Sequence, residues 1–331
     1  MSVEPLSLAL LALLLGAVVL DLLIGDPRWL PHPVVAMGRL IDALERRWNR
    51  GSLKARRLRG FLLTGCVVAL VYALAWSVLT LLAGLHPWLG LGGELLLLAS
   101  ALAIKGLRDA AFAVAGPLVR GDLAGARRAV AMIVGRDTDT LDEAEITRAT
   151  VETVAENTVD GITAPLFWAL LGGAPLALAY KAVNTLDSMV GHRSERYVDF
   201  GYASARLDDL ANWVPARLTA LSMWLAALAL PEARWQGVRR QGALAGTWRD
   251  APGHPSPNAG WPEAMMAHLL GVQLGGINHY HGQVSERARM GEPYESLRVA
   301  HIERAVRHMH GAWVVFFLSM AGVAWAWSAT T

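Results

Sequence analysis

The sequence predicts an all-α fold: a polytopic integral membrane helical bundle with re-entrant or partly buried helices and helical segments on its cytoplasmic side. The first observation is composition, because 54% of the 331 residues are hydrophobic and only 18% are charged, whereas soluble domains carry about 25% charged residues. The second is that long apolar runs alternate with blocks of arginine. The formal net charge of +2 and the scattered arginines argue against a nucleic-acid-binding protein. We expect one membrane-embedded domain over residues 1–331.

Four apolar runs are long enough to predict full membrane spans. At 1.5 Å per residue, about 19 helical residues cover the roughly 30 Å hydrocarbon core. The first run follows Glu4 instead of a basic stretch, and no convincing cleavage site comes after it, so we interpret it as a retained helix and not as a secretory signal. The predicted spans lie near residues 6–24, 61–85, 93–110 and 311–329.

Basic residues predict the orientation of these spans. Between Arg39 and Arg59, eight basic residues face only two acidic ones, which by the positive-inside rule makes this loop cytoplasmic and places the N-terminus outside. We therefore expect a multi-pass protein of the inner (cytoplasmic) membrane, in contact with the lipid bilayer and with its active site facing the cytoplasm. The predicted cytoplasmic loops are 25–60, 111–161, 181–217 and 232–310.

Two further apolar segments, 162–180 and 218–230, are interrupted or short. The first contains Gly172–Gly173 and the second has about 13 residues, which is less than a full span. If both crossed the membrane, the polar segments that flank them would face opposite compartments. We therefore predict re-entrant or partly buried helices with a turn at Gly172–Gly173, although the sequence leaves a full crossing open.

Acidic residues recur at helical spacing before the first of these segments. Glu152, Glu156 and Asp160 lie four residues apart, so they form one stripe with Asn157 beside it. A solvated helix face is one interpretation, but only Arg148, at one end, offers charge relief. The pattern favours a bound cation, a metal ion or a partner's basic group at this stripe.

Two more polar groups follow the apolar segment. Lys181, Asn184 and Asp187 share a helix face, a combination that suits a phosphate–magnesium group; the alternative is that Lys181 only extends to the membrane interface. A second group comprises Arg206, Asp208, Asp209 and Asn212, in which the arginine is either functional or part of an ordinary surface ion pair.

A turn-rich segment contributes the last candidate group. Residues 248–264 are rich in proline and glycine and include His254, Ser256 and Asn258. Turns of this kind can present backbone N–H groups to an anion, or they can be plain polar surface. The sequence has no glycine-rich phosphate loop, dinucleotide-binding fingerprint, zinc-ligand spacing or nucleophile elbow.

Taken together, these stretches closely resemble the membrane-bound adenosylcobinamide-phosphate synthases of cobalamin biosynthesis. The resemblance covers nearly the whole chain and rests on six ordered motifs. They are DLLIGDPRWLPHPVVAMG at 21–38, GRDTDTLD at 135–142, VAENTVDGITAPLFW at 154–168, KAVNTLDSMVG at 181–191, FGYASARLDDLANWVPARL at 200–218 and HPSPNAGWPEA at 254–264.

The resemblance implies an ATP-dependent acid–amine ligase. It would join the propionate carboxyl of adenosylcobyric acid to (R)-1-aminopropan-2-ol phosphate, or to free aminopropanol, and release adenosylcobinamide phosphate. ATP and Mg²⁺ are the expected cofactors, because a carboxylate has to be activated before an amine can attack it. Other membrane-bound enzymes of cobalamin assembly and a second copy of the chain are possible partners.

The resemblance also suggests roles for individual residues. In this hypothesis Glu156, Asp160 and Asp187 hold Mg²⁺, and Asp208 or Asp209 takes the proton from the attacking amine. The remaining residues bind phosphates or orient substrate groups, with Ser256 and Asn258 closing over the aminopropanol phosphate. They are Arg136, Asp137, Asn157, Lys181, Asn184, Arg206, Asn212, Ser256 and Asn258.

Two other functions are compatible with a membrane protein of this pattern. One is a non-catalytic signalling relative of the family, which would not need so many acidic residues. The other is a transporter for a corrinoid intermediate, because broken helices with polar ends also serve transport.

Overall fold

The structure, a computed structural model, describes residues 4–27, 32–229, 237–280 and 282–328. The described chain is helical apart from one two-stranded sheet, which confirms the all-α prediction. It forms two compact units where the sequence predicted one domain. Unit 1 contains the described residues of Met1–Lys105, Asp160–Asn212 and Ser319–Thr331, and unit 2 contains those of Gly106–Val159 and Trp213–Leu318.

Helices occupy most of the segments that the sequence analysis treated as loops. The helices are α1 (Leu8–Leu23), α2 (Pro33–Trp48), α3 (Leu53–Leu85), α4 (Pro87–Ala101), α5 (Ile104–Val119), α6 (Leu123–Val130), α7 (Glu143–Thr158), α8 (Ala164–Val190), α9 (Tyr202–Ala211), α10 (Trp213–Ala229), α11 (Gly237–Asp250), α12 (Gly260–Leu270) and α13 (Ala300–Ser328). The strands are β1 (Leu274–Tyr280) and β2 (Gln283–Met290).

In the described ranges, four helical stretches are long and apolar enough to cross a membrane. They are Leu53–Leu85, Pro87–Val119, Glu143–Val190 and Ala300–Ser328. α1 and α10 are apolar but shorter, with 16 and 17 residues. Since 16 helical residues extend roughly 24 Å, the helix at the first predicted span is shorter than the hydrocarbon core. Some parts of the predicted segments lie outside the described residues. They are residues 28–31 of the first motif, Leu230 of segment 218–230, residues 232–236 of the last predicted loop and Ala329 of the last predicted span.

The predicted span 93–110 is not one continuous helix. Helix begins already at Pro87, in the link expected to be a loop, and breaks between α4 and α5. At the break, Asp21 Oδ2 accepts the first two backbone N–H groups of α5, at 2.9 and 3.1 Å, and Ala103 N–H donates to the carbonyl oxygen of Gly161 at 2.9 Å. Distant residues thus supply the hydrogen bonds that the helix ends at this break require, and Pro87–Val119 as a whole remains long and apolar enough to cross a membrane.

The apolar segment 162–180 folds back on itself within unit 1. Gly173 has φ +64° and ψ −161°, a conformation essentially restricted to glycine. Lys181 Nζ donates to the carbonyl oxygen of Asp160 at 3.2 Å, although the two residues are 21 positions apart and a straight helix would separate them by roughly 32 Å. The chain therefore reverses at Gly172–Gly173, the position at which the sequence analysis placed a turn.

Unit 2 is built around α12, a buried helix that packs against α7, α10 and α11. β1 and β2 pair antiparallel, with Ile277 opposite Glu286 and an irregular register between Leu274 and Gly276. This hairpin lies inside segment 232–310, where the sequence analysis predicted no strand. The sequence analysis identified no strand there because two consecutive glycines in β1 remove the alternation of apolar and polar residues that marks a strand.

Candidate functional site

The candidate polar residues of unit 1 lie together where the second arm of α8, after the reversal at Gly172–Gly173, comes back to the segment that precedes the first arm. Asp160 lies in a π-helical turn, Val159–Thr163, a feature frequent at functional sites. The returning arm of α8 and the end of α9 supply the other members. We call this group the aspartate–lysine cluster; its members are Asp160, Tyr180, Lys181, Asn184, Asp187, Asp208 and Asn212.

Amide and hydroxyl groups connect the carboxylates of this cluster. The hydroxyl of buried Tyr180 lies 2.9 Å from Asn212 Oδ1 and 3.4 Å from Asp160 Oδ1. Asn212 Nδ2 donates to Asp208 Oδ2 at 3.1 Å, and the side chain of Asn184 hydrogen-bonds to both Asp160 and Asp208. The carboxylates are therefore held in fixed positions by neutral donors, with Lys181 as the adjacent cation.

Asp208 is the carboxyl of this cluster that lies outside the candidate membrane spans. Burial raises its pKa well above the usual value, and the neighbouring charges of Asp160 and Asp187 raise it further. Its Oδ1 is buried and has no hydrogen-bond partner among the described residues. A carboxylate with a raised pKa is a stronger proton acceptor, so Asp208 is suited to act as a general base.

Asp209 and Arg206 lie at the edge of the cluster. Arg206 Nη1 is 3.2 Å from Asp209 Oδ2, and the two side chains are 63% and 29% exposed. Burial raises the pKa of Asp209, while the charge of Arg206 opposes that change. The pair has the geometry of an ordinary surface salt bridge, which was the structural alternative for Arg206 in the sequence analysis.

Unit 2 contains a separate buried charge network. Arg136 and Arg148 both pair with Glu152, and all three side chains are at most 10% exposed. Asn278 Oδ1 accepts from Arg136 at 2.7 Å and from Arg148 at 3.0 Å, while Glu152 Oε1 accepts the backbone N–H of Gly275 at 2.8 Å. Two arginines thus neutralise the charge of Glu152, the first residue of the acidic stripe predicted on α7. Spacing along the helix could not identify Arg136, because this residue lies in a preceding loop.

A second acid lies beside this network. Glu263 on α12 is buried, and His254 Nε2 lies 3.6 Å from its Oε1. Burial raises the pKa of Glu263 well above its usual value, and the charges of Glu152 and Glu156 raise it further. Burial lowers the pKa of His254, and Arg287 contributes in the same direction. Both groups therefore favour their neutral forms.

Several candidate residues of unit 2 make local structural contacts. Asp137 lies in the loop before α7, and its side chain accepts the backbone N–H of Gly282 at 2.8 Å. This bond ties the loop to the β1–β2 hairpin. Asn157 donates to the carbonyl oxygen of Thr153 one helical turn earlier, at 3.0 Å. Glu156 is exposed.

Ser256 and Asn258 build the turn that the sequence analysis proposed for anion binding. Ser256 Oγ accepts the backbone N–H groups of Asn258 and Ala259, each at 3.2 Å. Asn258 is buried, and its Oδ1 lies 3.4 Å from Arg217 Nη1. The backbone donors expected to hold an anion are thus already bonded to Ser256.

Spacing along the sequence identified most of the aspartate–lysine cluster. It missed Tyr180, because this residue ends an apolar run that looks purely structural. It also missed Glu263, although the segment that contains it was quoted for its turn. The available signal was a polar group at the border of a selected motif for Tyr180 and inside one for Glu263. The candidate residues divide between the units, with Asp160, Lys181, Asn184, Asp187, Arg206, Asp208, Asp209 and Asn212 in unit 1 and Arg136, Asp137, Glu156, Asn157, Ser256 and Asn258 in unit 2.

The donor set of the aspartate–lysine cluster fits a magnesium ion that arrives with a phosphate. Mg²⁺ usually takes one or two carboxylates and completes its shell with water and phosphate oxygens. Asp160, Asp187 and Asp208 interact electrostatically, and Asp208 Oδ1 lacks a partner in the described part. In those same residues, no group of three or more His, Cys, Asp or Glu side chains is arranged to hold a metal ion alone. The remaining ligands would therefore come from the substrate.

Comparison with known proteins gives a consistent match over most of the chain. A family model described as CobD/Cbib protein matches residues 14–309. Cobalamin biosynthesis protein CobD of Halalkalibacterium halodurans is 50% identical over 316 residues, which are 95% of this chain and 97% of that protein. CobD of Klebsiella pneumoniae is 50% identical over 305 residues, and CbiB of Salmonella typhimurium is 46% identical over 306; each match covers 92% of this chain and 93% of the relative. No solved structure matches the chain.

Proposed function

The chain belongs to the CobD/CbiB family, the adenosylcobinamide-phosphate synthases of cobalamin biosynthesis, and from this premise we propose that it is an ATP-dependent amide synthase. It would join the propionate carboxyl of adenosylcobyric acid to (R)-1-aminopropan-2-ol phosphate, or to aminopropanol, and form adenosylcobinamide phosphate. The observation that carries the proposal is the aspartate–lysine cluster. In this cluster, the reversal within α8 and the end of α9 bring carboxylates, a cation and amides together.

The chemistry of amide formation requires such a cluster. A carboxylate and an ammonium ion do not condense in neutral water, so the acid has to be activated. Mg·ATP, when bound, would supply the phosphoryl group that makes the carboxyl carbon reactive. The protein then contributes positioning and charge neutralisation. In this proposal Asp160 and Asp187 hold the metal, Lys181 balances phosphate charge, and Asn184 and Asn212 orient the carboxyl groups.

Asp208 is the proposed proton acceptor. The nitrogen must lose a proton before or while it attacks the activated carboxyl, and phosphate then leaves with its electron pair. Asp208 has the raised pKa that this task needs, whereas Asp209 is engaged by Arg206. Ser256, Asp137 and Asn157 are engaged in local hydrogen bonds, so the proposed catalytic groups are those of unit 1. In unit 2, Glu156 remains a candidate for metal binding and Arg136 for phosphate binding.

The direct test uses purified protein in detergent with adenosylcobyric acid, aminopropanol phosphate and Mg·ATP. Phosphate release in step with amide product is the expected result. Tight binding of the corrinoid without product would favour the transporter alternative, and absence of both would favour the signalling alternative. Omitting Mg²⁺ should abolish product formation.

A pair of neighbouring variants tests the role of Asp208. We expect Asp208→Asn to lower kcat by roughly 10²- to 10⁴-fold, the usual contribution of a general base, whereas Asp209→Asn should change kcat by less than about tenfold. The two substitutions make the same chemical change on adjacent residues of α9. Equal losses in both variants would contradict the assignment of the base.

A further inference from the structure

An arginine-lined cavity lies at the corner between α2 and α3, in unit 1. Its volume is about 480 Å³. It contains none of the residues of the aspartate–lysine cluster. The six residues that line it are Glu45, Arg46, Asn49, Arg50, Arg56 and Arg196.

Hydrogen bonds hold much of this cavity in place before any ligand arrives. Arg196 makes two bonds to buried Glu45, at 3.0 and 2.9 Å. Asn49 Nδ2 donates to Glu45 Oε1 at 2.9 Å, and Arg56 Nε donates to Asn49 Oδ1 at 2.8 Å. Two of the guanidinium groups are therefore fixed by Glu45 and Asn49, which lowers the entropy lost when an anion binds.

The cavity carries more positive charge than its partners neutralise. Glu45 balances Arg196, and Asp42 balances Arg46 through bonds of 3.1 and 2.6 Å. Arg56 bonds only to neutral groups among the described residues. The guanidinium of Arg50 makes no hydrogen bond or ion pair with the described part of the chain. Two positive charges thus remain for an anionic ligand.

The position of the cavity indicates the source of that anion. α3 carries its last basic residue at Arg59, and residues 60–85 contain no charged residue. Arg56 is four residues before Gly60, so it lies roughly 6 Å along the helix from the beginning of the uncharged stretch. The cavity therefore lies at the beginning of Leu53–Leu85, a helix that is long and apolar enough to cross a membrane, which is the depth at which charged lipid headgroups lie.

We propose that this cavity binds the phosphodiester headgroup of an anionic glycerophospholipid. Basic pockets at the ends of membrane helices recognise such headgroups, and each arginine near the surface contributes a substantial share of the attraction. The phosphate accepts from Arg50 and from Nη1 of Arg56 and of Arg46, which makes no hydrogen bond with the described residues. The proposal is independent of the reaction catalysed in the aspartate–lysine cluster.

The test compares two charge-matched double variants of α2 in the full-length protein. Arg46→Gln with Arg50→Gln removes two charges from the cavity, and Arg39→Gln with Arg47→Gln removes two exposed charges that do not line it. Native mass spectrometry of the purified proteins would measure binding of dioleoyl phosphatidylglycerol, with dioleoyl phosphatidylcholine and inorganic phosphate as probes of specificity. Both variants must elute as the wild type does on size exclusion; if the first does not, Arg50→Gln alone is measured.

The expected result is a loss of about tenfold or more in affinity for phosphatidylglycerol in the cavity variant, and less than threefold in the control variant. Phosphatidylcholine should bind at least tenfold more weakly to the wild type. Equal affinity in the two variants, equal binding of both lipids, or full displacement of the lipid by millimolar inorganic phosphate would each overturn the proposal.

Discussion

The reversal at Gly173 gives the sharpest test of how the fold creates the site. We expect Gly173→Ala to destabilise the protein because φ of +64° with ψ of −161° is accessible almost only to glycine. An added Cβ would also meet Oε1 of buried Glu94. That oxygen accepts the backbone N–H of Ala174 at 2.6 Å, so the new methyl group would disturb the hydrogen bond that holds the turn.

The size of the effect follows from two contributions. Forcing a side chain into this backbone region costs about 1–3 kcal/mol, and weakening the bond to a buried amide costs about 1–3 kcal/mol more. We therefore expect the free energy of unfolding to fall by roughly 2–6 kcal/mol. Because the turn brings Lys181 back to Asp160, amide synthesis should fall as well.

The assay is unfolding by sodium dodecyl sulfate in mixed micelles, followed by tryptophan fluorescence. Gly65→Ala is the matched control, because Gly65 lies in α3 and an added Cβ meets no atom within 4 Å. This control should be neutral or more stable by up to about 1 kcal/mol, the usual helix preference for alanine. A Gly173→Ala protein within about 0.5 kcal/mol of the wild type would refute the reasoning about the turn.

The charge network of unit 2 supports two further predictions. Because the raised pKa of Glu263 lets the folded state keep a proton that the unfolded chain loses, the free energy of unfolding should fall as pH rises above about 4.5. Glu263→Gln, which stays neutral, should therefore raise Tm at pH 8 but not at pH 4.5; a difference that does not depend on pH would contradict this. Arg136→Gln should lower the free energy of unfolding by about 3 kcal/mol, because it removes a partner of buried Glu152. Its control is Arg298→Gln, which breaks an exposed pair and should change the free energy of unfolding by less than about 1 kcal/mol; equal effects of the two substitutions would show that burial does not matter here.

The aspartate–lysine cluster shows why part of the site was predictable. Lys181, Asn184 and Asp187 are separated by three residues each, so the helical repeat alone puts them on one face. Gly172–Gly173 marked the turn, since adjacent glycines next to a proline interrupt an apolar helix. Tyr180 and the Asp208 oxygen that has no hydrogen-bond partner among the described residues became apparent only in three dimensions, because they depend on contacts between α8 and α9.

The acidic stripe on α7 shows the opposite case. Spacing suggested a stripe of three carboxylates with Arg148 as its one source of charge relief, but Arg136 also approaches Glu152, from a loop 16 residues earlier, while Asp160 belongs to the other unit. A repeat of 3.6 residues describes one helix and contains no information on what other segments bring to its surface.

By itself, the sequence determined the properties that depend on composition and local spacing: a helical membrane protein, a turn at Gly172–Gly173, and the polar faces from which the site is built. Only the tertiary structure decided which carboxylates share a cluster, which are neutralised by arginine, and where α4 gives way to α5. The physical reason is that burial and charge pairing arise between segments far apart in the chain, so hydrophobic periodicity within each segment cannot specify them.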